Sequence, residues 1–172
     1  MTARAKPSPA PPVDTGAVLR ALAEVEDPEL PIAITEMGLV HAVSVRGGAV
    51  RVELLPTFSG CPALEVIRDR VRRRVAALPG IQTVDVAFVF EPAWTVGRIT
   101  EAGRARLREH GVSVPRAGLA EPATCPHCGS TNTVLENPFG PTLCRAIYYC
   151  RDCRNPVERF KPSSDEPLAQ GR

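Results

Sequence analysis

Long hydrophobic runs are missing from this 172-residue chain. No stretch approaches the roughly 18 apolar residues that suggest a membrane span. The amino-terminal MTARAKPSPAPP has no apolar segment of the kind that directs secretion. These absences lead to the expectation of a cytoplasmic protein with no membrane partner, in a compartment where thiols stay reduced. Aromatic residues are sparse at 5%, and a formal net charge of +2 is too weak to demand nucleic acid or an anionic surface. No Ser/His/Asp set, phosphate-binding glycine loop or paired catalytic carboxylates stands in a recognisable context. What the chain has is 44% hydrophobic residues, enough for a core, and six cysteines. In a reducing compartment these read as metal ligands or reactive thiols before they read as disulphides.

Residues 1–13 are rich in Pro, Ala and Ser without periodicity and read as a disordered arm. Asp14 or Thr15 can cap a first helix with Val18, Leu19, Leu22 and Val25 on one face, and the prolines of DPELP end it. GLVHAVSV and AVRVELL flank Arg46-Gly47-Gly48, the pattern of a β-hairpin with Val50, Val52 and Leu54 on its buried face. A helix from Pro62 to about Leu78 carries the stripe Leu64, Ile67, Val71, Val75 and Leu78, and Pro79-Gly80 stops it. QTVDVAFVF then places Val84, Val86, Phe88 and Phe90 on one face of a third strand. The order α-β-β-α-β predicts an α+β domain over residues 14–111, a small sheet with helices packed on one face. EPAWTVGRIT is a connector with the single Trp, and Thr100 caps a short helix that Gly111 ends. Residues 112–123 read as a linker, 124–161 as a small cysteine-rich module and 162–172 as a loose tail.

Two Cys-x-x-Cys pairs, Cys125/Cys128 and Cys150/Cys153, dominate that module. Each pair can form a tight knuckle with both sulphurs aimed at one metal, and two knuckles on neighbouring hairpins complete a tetrahedral four-cysteine site. Such a site suits structural Zn²⁺, and iron would use the same sulphurs. A module this short has too little core to fold unaided, so the metal supplies the missing stability. No βαβ pattern surrounds either pair, which argues against a redox motif. His127, inside one knuckle, is expected to face solvent because four cysteines already fill the ligand set. Cys144 reads either as a small apolar side chain at a strand start or as a spare thiol beside the metal module.

Cys61, in TFSGCPALEV, stands apart from the other five. Pro62 suits the first turn of a helix, which puts Cys61 at or next to the N-cap, where the helix dipole favours an anion and can depress a thiol pKa. Thr57 and Ser59 add hydroxyls, and Gly60 lets the backbone approach closely. The alternative is a buried cysteine packed on the sheet, and both readings stand on position alone. Asp27 and Glu29 place two carboxylates in the DPE turn, either for metal transfer or general-base chemistry or, more simply, exposed at the end of a helix. The arginine run RDRVRRR reads as a solvated face, with an acidic partner or nucleic acid as the alternative. The lack of interleaved aromatics argues against single-stranded nucleic acid.

DPELP, ITEMGLV and TFSGCP together resemble the small domain shared by iron–sulphur assembly accessory proteins. The matching positions are Asp27, Pro28, Glu29, Gly38, Leu39, Val40, Thr57, Cys61 and Pro62. EPAWTVGRITEAGRARLREHGVSVP and FGPTLCRAIYYCRDCRNPVERFKP narrow this to a resemblance to the D-type subunit family of phenylacetate degradation. The resemblance implies a non-catalytic accessory to the multicomponent phenylacetyl-CoA epoxidase. Its clients would be the di-iron oxygenase component or the iron–sulphur flavin reductase. It also implies that Cys61 acts as a transient ligand for iron or an iron–sulphur cluster, and that Cys144 matches a cysteine of the family's ribbon.

Overall fold

In the computed structural model, the described residues are 13–115 and 122–161. Nearly all of the expected arm, the middle of the expected linker and the expected tail lie outside them. Helix α1 (Thr15–Leu22) starts where Asp14 accepts a hydrogen bond from the Ala17 amide at 2.7 Å. Val18, Ala21 and Leu22 are buried. Leu19, expected on the same face, is instead 41% exposed. In a helix of two turns the pair at i and i+4, Val18 and Leu22, sets the inward direction, and Leu19 lies about 100° round from it.

The stretch that follows is irregular yet fills the core, with Leu30, Ile32, Ile34, Met37 and Leu39 all buried. Its entry is fixed by Asp27, whose carboxylate accepts from the Glu29 and Leu30 amides at 2.8 and 3.0 Å. Strands β1 (Val40–Arg46) and β2 (Ala49–Leu54) form the expected hairpin. Its turn residues Gly47 and Gly48 have φ of 54° and 86°, the left-handed pair that matches the twist of the strands. Helix α2 (Leu64–Ala76) crosses over to β3 (Thr83–Phe88), which pairs parallel to β2 and gives the order β1-β2-β3. Ile67, Val71 and Val75 of α2 pack with Val50, Val52, Leu54 and Val86 in one core. The opposite face is polar, where Arg51 pairs with Asp85 at 2.6 Å and Glu53 at 3.0 Å. The fold is thus α+β with helices on one face of a small sheet. Phe90 lies beyond β3 and is 53% exposed, because β2 ends at Leu54 and the Val89 amide takes its last carbonyl.

The connector turns inward at Trp94, whose indole N–H donates to the Met37 carbonyl at 2.9 Å. Arg98 reaches the carbonyls of Gly38 and Val40 at 2.8 and 3.1 Å. Helix α3 (Glu101–Glu109) is capped by the Thr100 hydroxyl, which accepts from the Gly103 amide at 3.0 Å.

A second sheet has the order β4-β7-β6-β5, from β4 (Val112–Ser113), β5 (Thr133–Asn137), β6 (Arg145–Cys150) and β7 (Pro156–Phe160). Residues 112 and 113, expected to begin a linker, are buried and pair parallel to β7. Val112 enters the main core, and so does Phe160, whose ring lies 5.9 Å from that of Trp94. The ribbon is therefore joined to the first module by a common core as well as by the chain. Its own interior is small: Ala123, Cys125, Ala146, Tyr148, Cys150 and Val157. Among the described residues no helix is long and apolar enough to cross a membrane.

Candidate functional site

The two knuckles bring Cys125, Cys128, Cys150 and Cys153 together, with all four sulphurs within 4.8 Å of one another. Cys125 and Cys153 are 3.6 Å apart, as are Cys128 and Cys150. A tetrahedron with Zn–S bonds of about 2.3 Å has edges of about 3.8 Å, so the set fits a tetrahedral ion with little adjustment. Asp152 ties the knuckles together, accepting from Ser130 at 2.6 Å and Asn132 at 2.7 Å. Hydrogen bonds from the Asn155 side chain and then its backbone amide pull the Cys153 thiol down to about 6, which readies one anionic ligand at neutral pH. Burial pushes Cys125 the other way. His127 is exposed and stands outside the sulphur group.

Cys61 lies elsewhere, and not at a helix cap. The N-cap of α2 is Ala63, which has no side-chain capping bond, and Pro62 and Ala63 form a turn ahead of the helix. The expected dipole-assisted anion is not what results. Burial pushes the Cys61 thiol up, the negative groups Cys144, Glu29 and Asp27 push in the same direction, and only the Ala63 amide opposes them. Since the shift is upward, the neutral thiol dominates at pH 7. Alkylation of Cys61 by iodoacetamide is then expected to be slower than that of a free cysteine peptide at neutral pH and to accelerate only above about pH 8.5. Mass spectrometry of timed samples across pH checks this, and a rate already saturated at about pH 6 reverses the sign.

The thiol faces the ribbon. A pocket of about 170 Å³ is lined by Glu29, Phe58, Cys61, Thr142, Leu143 and Cys144, among others. Cys144 immediately precedes β6, is half-buried and lies 3.2 Å from the Thr142 hydroxyl. The structure thus unites Glu29, Cys61 and Cys144. Thr57 lines the adjoining pocket of about 400 Å³, with Phe58, Phe90, Trp94, Cys144 and Lys161. Asp27 does not line the small pocket, because its carboxylate is committed to capping the turn. It acts there only through its charge, and burial raises its own pKa against the two amide bonds.

Arg145 was not anticipated from the sequence. It is 6% exposed, pairs with Glu158, donates to the Thr142 hydroxyl at 2.8 Å and lies 3.7 Å from Glu29. A charged residue opening the apolar strand RAIYYC was the available signal. Its close ion pair with Glu158 lies within the ribbon, where removing one partner of a buried pair is costly, and its approach to Glu29 is its contact with the DPE turn. Around the cleft, Phe58, Phe90, Phe139 and Leu143 are exposed, four of the six exposed large apolar side chains among the described residues. Four of the five arginines of α2 have partners: Arg68 with Glu65, Arg72 with Asp69, Arg74 with Glu24, and Arg70 with the Glu26 carbonyl; Arg73 is exposed.

Residues 15–88 match the family model described as iron-sulfur cluster assembly protein, and residues 109–161 match that of the PaaD zinc beta ribbon domain. A protein of Escherichia coli (strain K12), provisionally named as the D-type subunit of 1,2-phenylacetyl-CoA epoxidase, is 38% identical over 146 residues. These are 81% of this chain and 88% of that protein. The chain belongs to the family of phenylacetyl-CoA epoxidase D-type subunits. A Porphyromonas gingivalis protein named Fe-S protein maturation auxiliary factor is 33% identical over 52% of this chain and 87% of its own length. A solved DUF59 domain from Bacillus anthracis superposes with a TM-score of 0.52 at 26% identity, covering 54% of this chain and 89% of that domain. In this D-type chain the cleft falls where the two modules meet. Glu29 and Cys61 come from the assembly part, and Cys144 and Arg145 come from the ribbon part.

Proposed function

We propose that this protein is a non-catalytic, cytoplasmic maturation factor that holds iron, alone or as a cluster, in transit at Cys61 and Cys144, with Glu29 beside them. The recipient is a metal-bearing component of the phenylacetyl-CoA epoxidase, either the di-iron oxygenase or the iron–sulphur flavin reductase. Zn²⁺ at Cys125, Cys128, Cys150 and Cys153 is structural. The observation that carries the reading is the shared cleft: an assembly-domain thiol and a ribbon thiol line one small pocket with a carboxylate. Two thiols and a carboxylate suit a divalent iron ion that is bound and then released, because the set leaves coordination positions for a recipient's ligands. Burial is the main cause that keeps the Cys61 proton in place, and a cation entering the pocket would favour the thiolate against it.

The apolar side chains round the mouth also support an accessory that stays bound to the epoxidase, since such patches mark protein contacts. One experiment separates the two. The epoxidase components are co-expressed with wild type or Cys61→Ser, purified anaerobically, and analysed for iron in each component, turnover and co-purification. Transfer predicts that iron and turnover fall at least tenfold in the variant while co-purification persists. Full iron loading and turnover with Cys61→Ser overturns it and leaves the retained-accessory reading.

A further inference from the structure

We infer that Cys61 and Cys144 form a reversible disulphide across the seam between the two modules, an oxidation site that shuts the cleft to metal. The inference rests on the reading of this cleft as the place where iron is held. Both cysteines are free, half-buried and on the wall of the same pocket of about 170 Å³. They are near enough that charge on Cys144 is felt at Cys61. Neither lies in a helix or strand. Cys61 sits in the loop between β2 and α2, and Cys144 is the residue ahead of β6, held by its carbonyl to the Lys161 amide at 2.9 Å. A disulphide needs a Cα separation of about 5.5–6 Å, and the two residues stand on the wall of one small pocket in segments outside the helices and strands. The other four thiols form a separate group that fits one tetrahedral ion, so with that ion bound they would not compete.

The oxidant is hydrogen peroxide. The thiolate of one cysteine attacks a peroxide oxygen, the O–O bond breaks, and a sulphenic acid and one water result. The second sulphur attacks the sulphenic sulphur, the S–O bond breaks, and a second water leaves. Two thiols and one peroxide thus give one disulphide and two waters. A dithiol reductant reverses this by exchange and is itself oxidised to a disulphide. While the bridge stands, both sulphurs are lost as ligands. The cleft takes up no iron under the conditions in which free iron and peroxide together are most damaging.

To test this, full-length zinc-loaded protein is treated with stoichiometric peroxide above about pH 8.5, where the Cys61 thiolate becomes populated, then alkylated and digested without reduction for mass spectrometry. Iron(II) uptake is measured on reduced and oxidised samples in parallel. The expected result is a peptide pair joining the Cys61 and Cys144 segments, lighter by two hydrogen atoms and restored by dithiothreitol. Iron(II) affinity should fall at least tenfold in the bridged form, and Cys144→Ser should carry a stable oxygen adduct on Cys61 instead. Oxygen adducts on Cys61 of the wild type with Cys144 still alkylatable, or bridges confined to the ribbon cysteines, overturn the inference. The bridge forming in a protein that takes up no iron when reduced leaves the disulphide standing and sinks the cargo reading. Iron uptake without a bridge does the reverse.

Discussion

Stripping the ion from the four-cysteine site will unfold the sheet of β5, β6 and β7 while the sheet of β1, β2 and β3 stays folded. The ribbon's own interior consists of six residues, and two of them, Cys125 and Cys150, belong to the four-cysteine group. Burying Tyr148 and Val157 contributes about 2 kcal/mol each, whereas a structural Zn²⁺ site contributes on the order of 10 kcal/mol. The ordering entropy of about 30 residues is far larger than the apolar term alone. Hydrogen exchange with and without a strong chelator measures the effect. Protection across Arg145–Cys150 should drop by several orders of magnitude, while protection across Ala49–Leu54 should hold. Phe160, seated against Trp94 in the main core, should be the last part of the ribbon to let go. Undiminished protection of β6 in metal-free protein defeats the claim.

Gly38→Ala should be the most damaging single substitution in the first module. Gly38 has φ of +68°, a conformation costing a non-glycine residue about 1–3 kcal/mol. A Cβ there would also collide with the Arg98 carbonyl oxygen and lie 2.7 Å from its carbon, backbone atoms that cannot swing aside. Arg98 is itself tied to the carbonyls of Gly38 and Val40, so relief would break the link between the connector and the start of β1. Together these terms amount to about 4 kcal/mol, a fall in Tm on the order of 10 °C. Thermal unfolding followed by circular dichroism checks it, and a Tm within about 2–3 °C of wild type removes the argument.

The parts of the molecule written in local pattern were readable. Alternation gave β2, the 3.6 period gave the Ile67–Val71–Val75 stripe, and paired Cys-x-x-Cys spacing gave the ribbon's sulphur group. What depended on distant partners was not. Nothing between residues 61 and 144 signals that their thiols share a pocket, because the seam arises only once Phe160 finds Trp94 and Arg145 finds Glu29. The helix start was misplaced for a related reason. Pro62 is as acceptable in a turn as in a first helical position, and the two-residue difference removes Cys61 from the dipole and leaves burial to set its proton affinity. Val112 and Ser113 looked like spacer because a two-residue strand carries no periodicity; their partner β7 defines them.

The common core that fastens the ribbon to the first module has an effect on supply. If the ribbon folds only with its ion, as predicted above, one wall of the thiol cleft would form only after the knuckles capture it. On the proposed function, a cell short of that element would make chains with half a cleft, unable to receive iron however plentiful. Sufficiency in one nutrient would then license the handling of another.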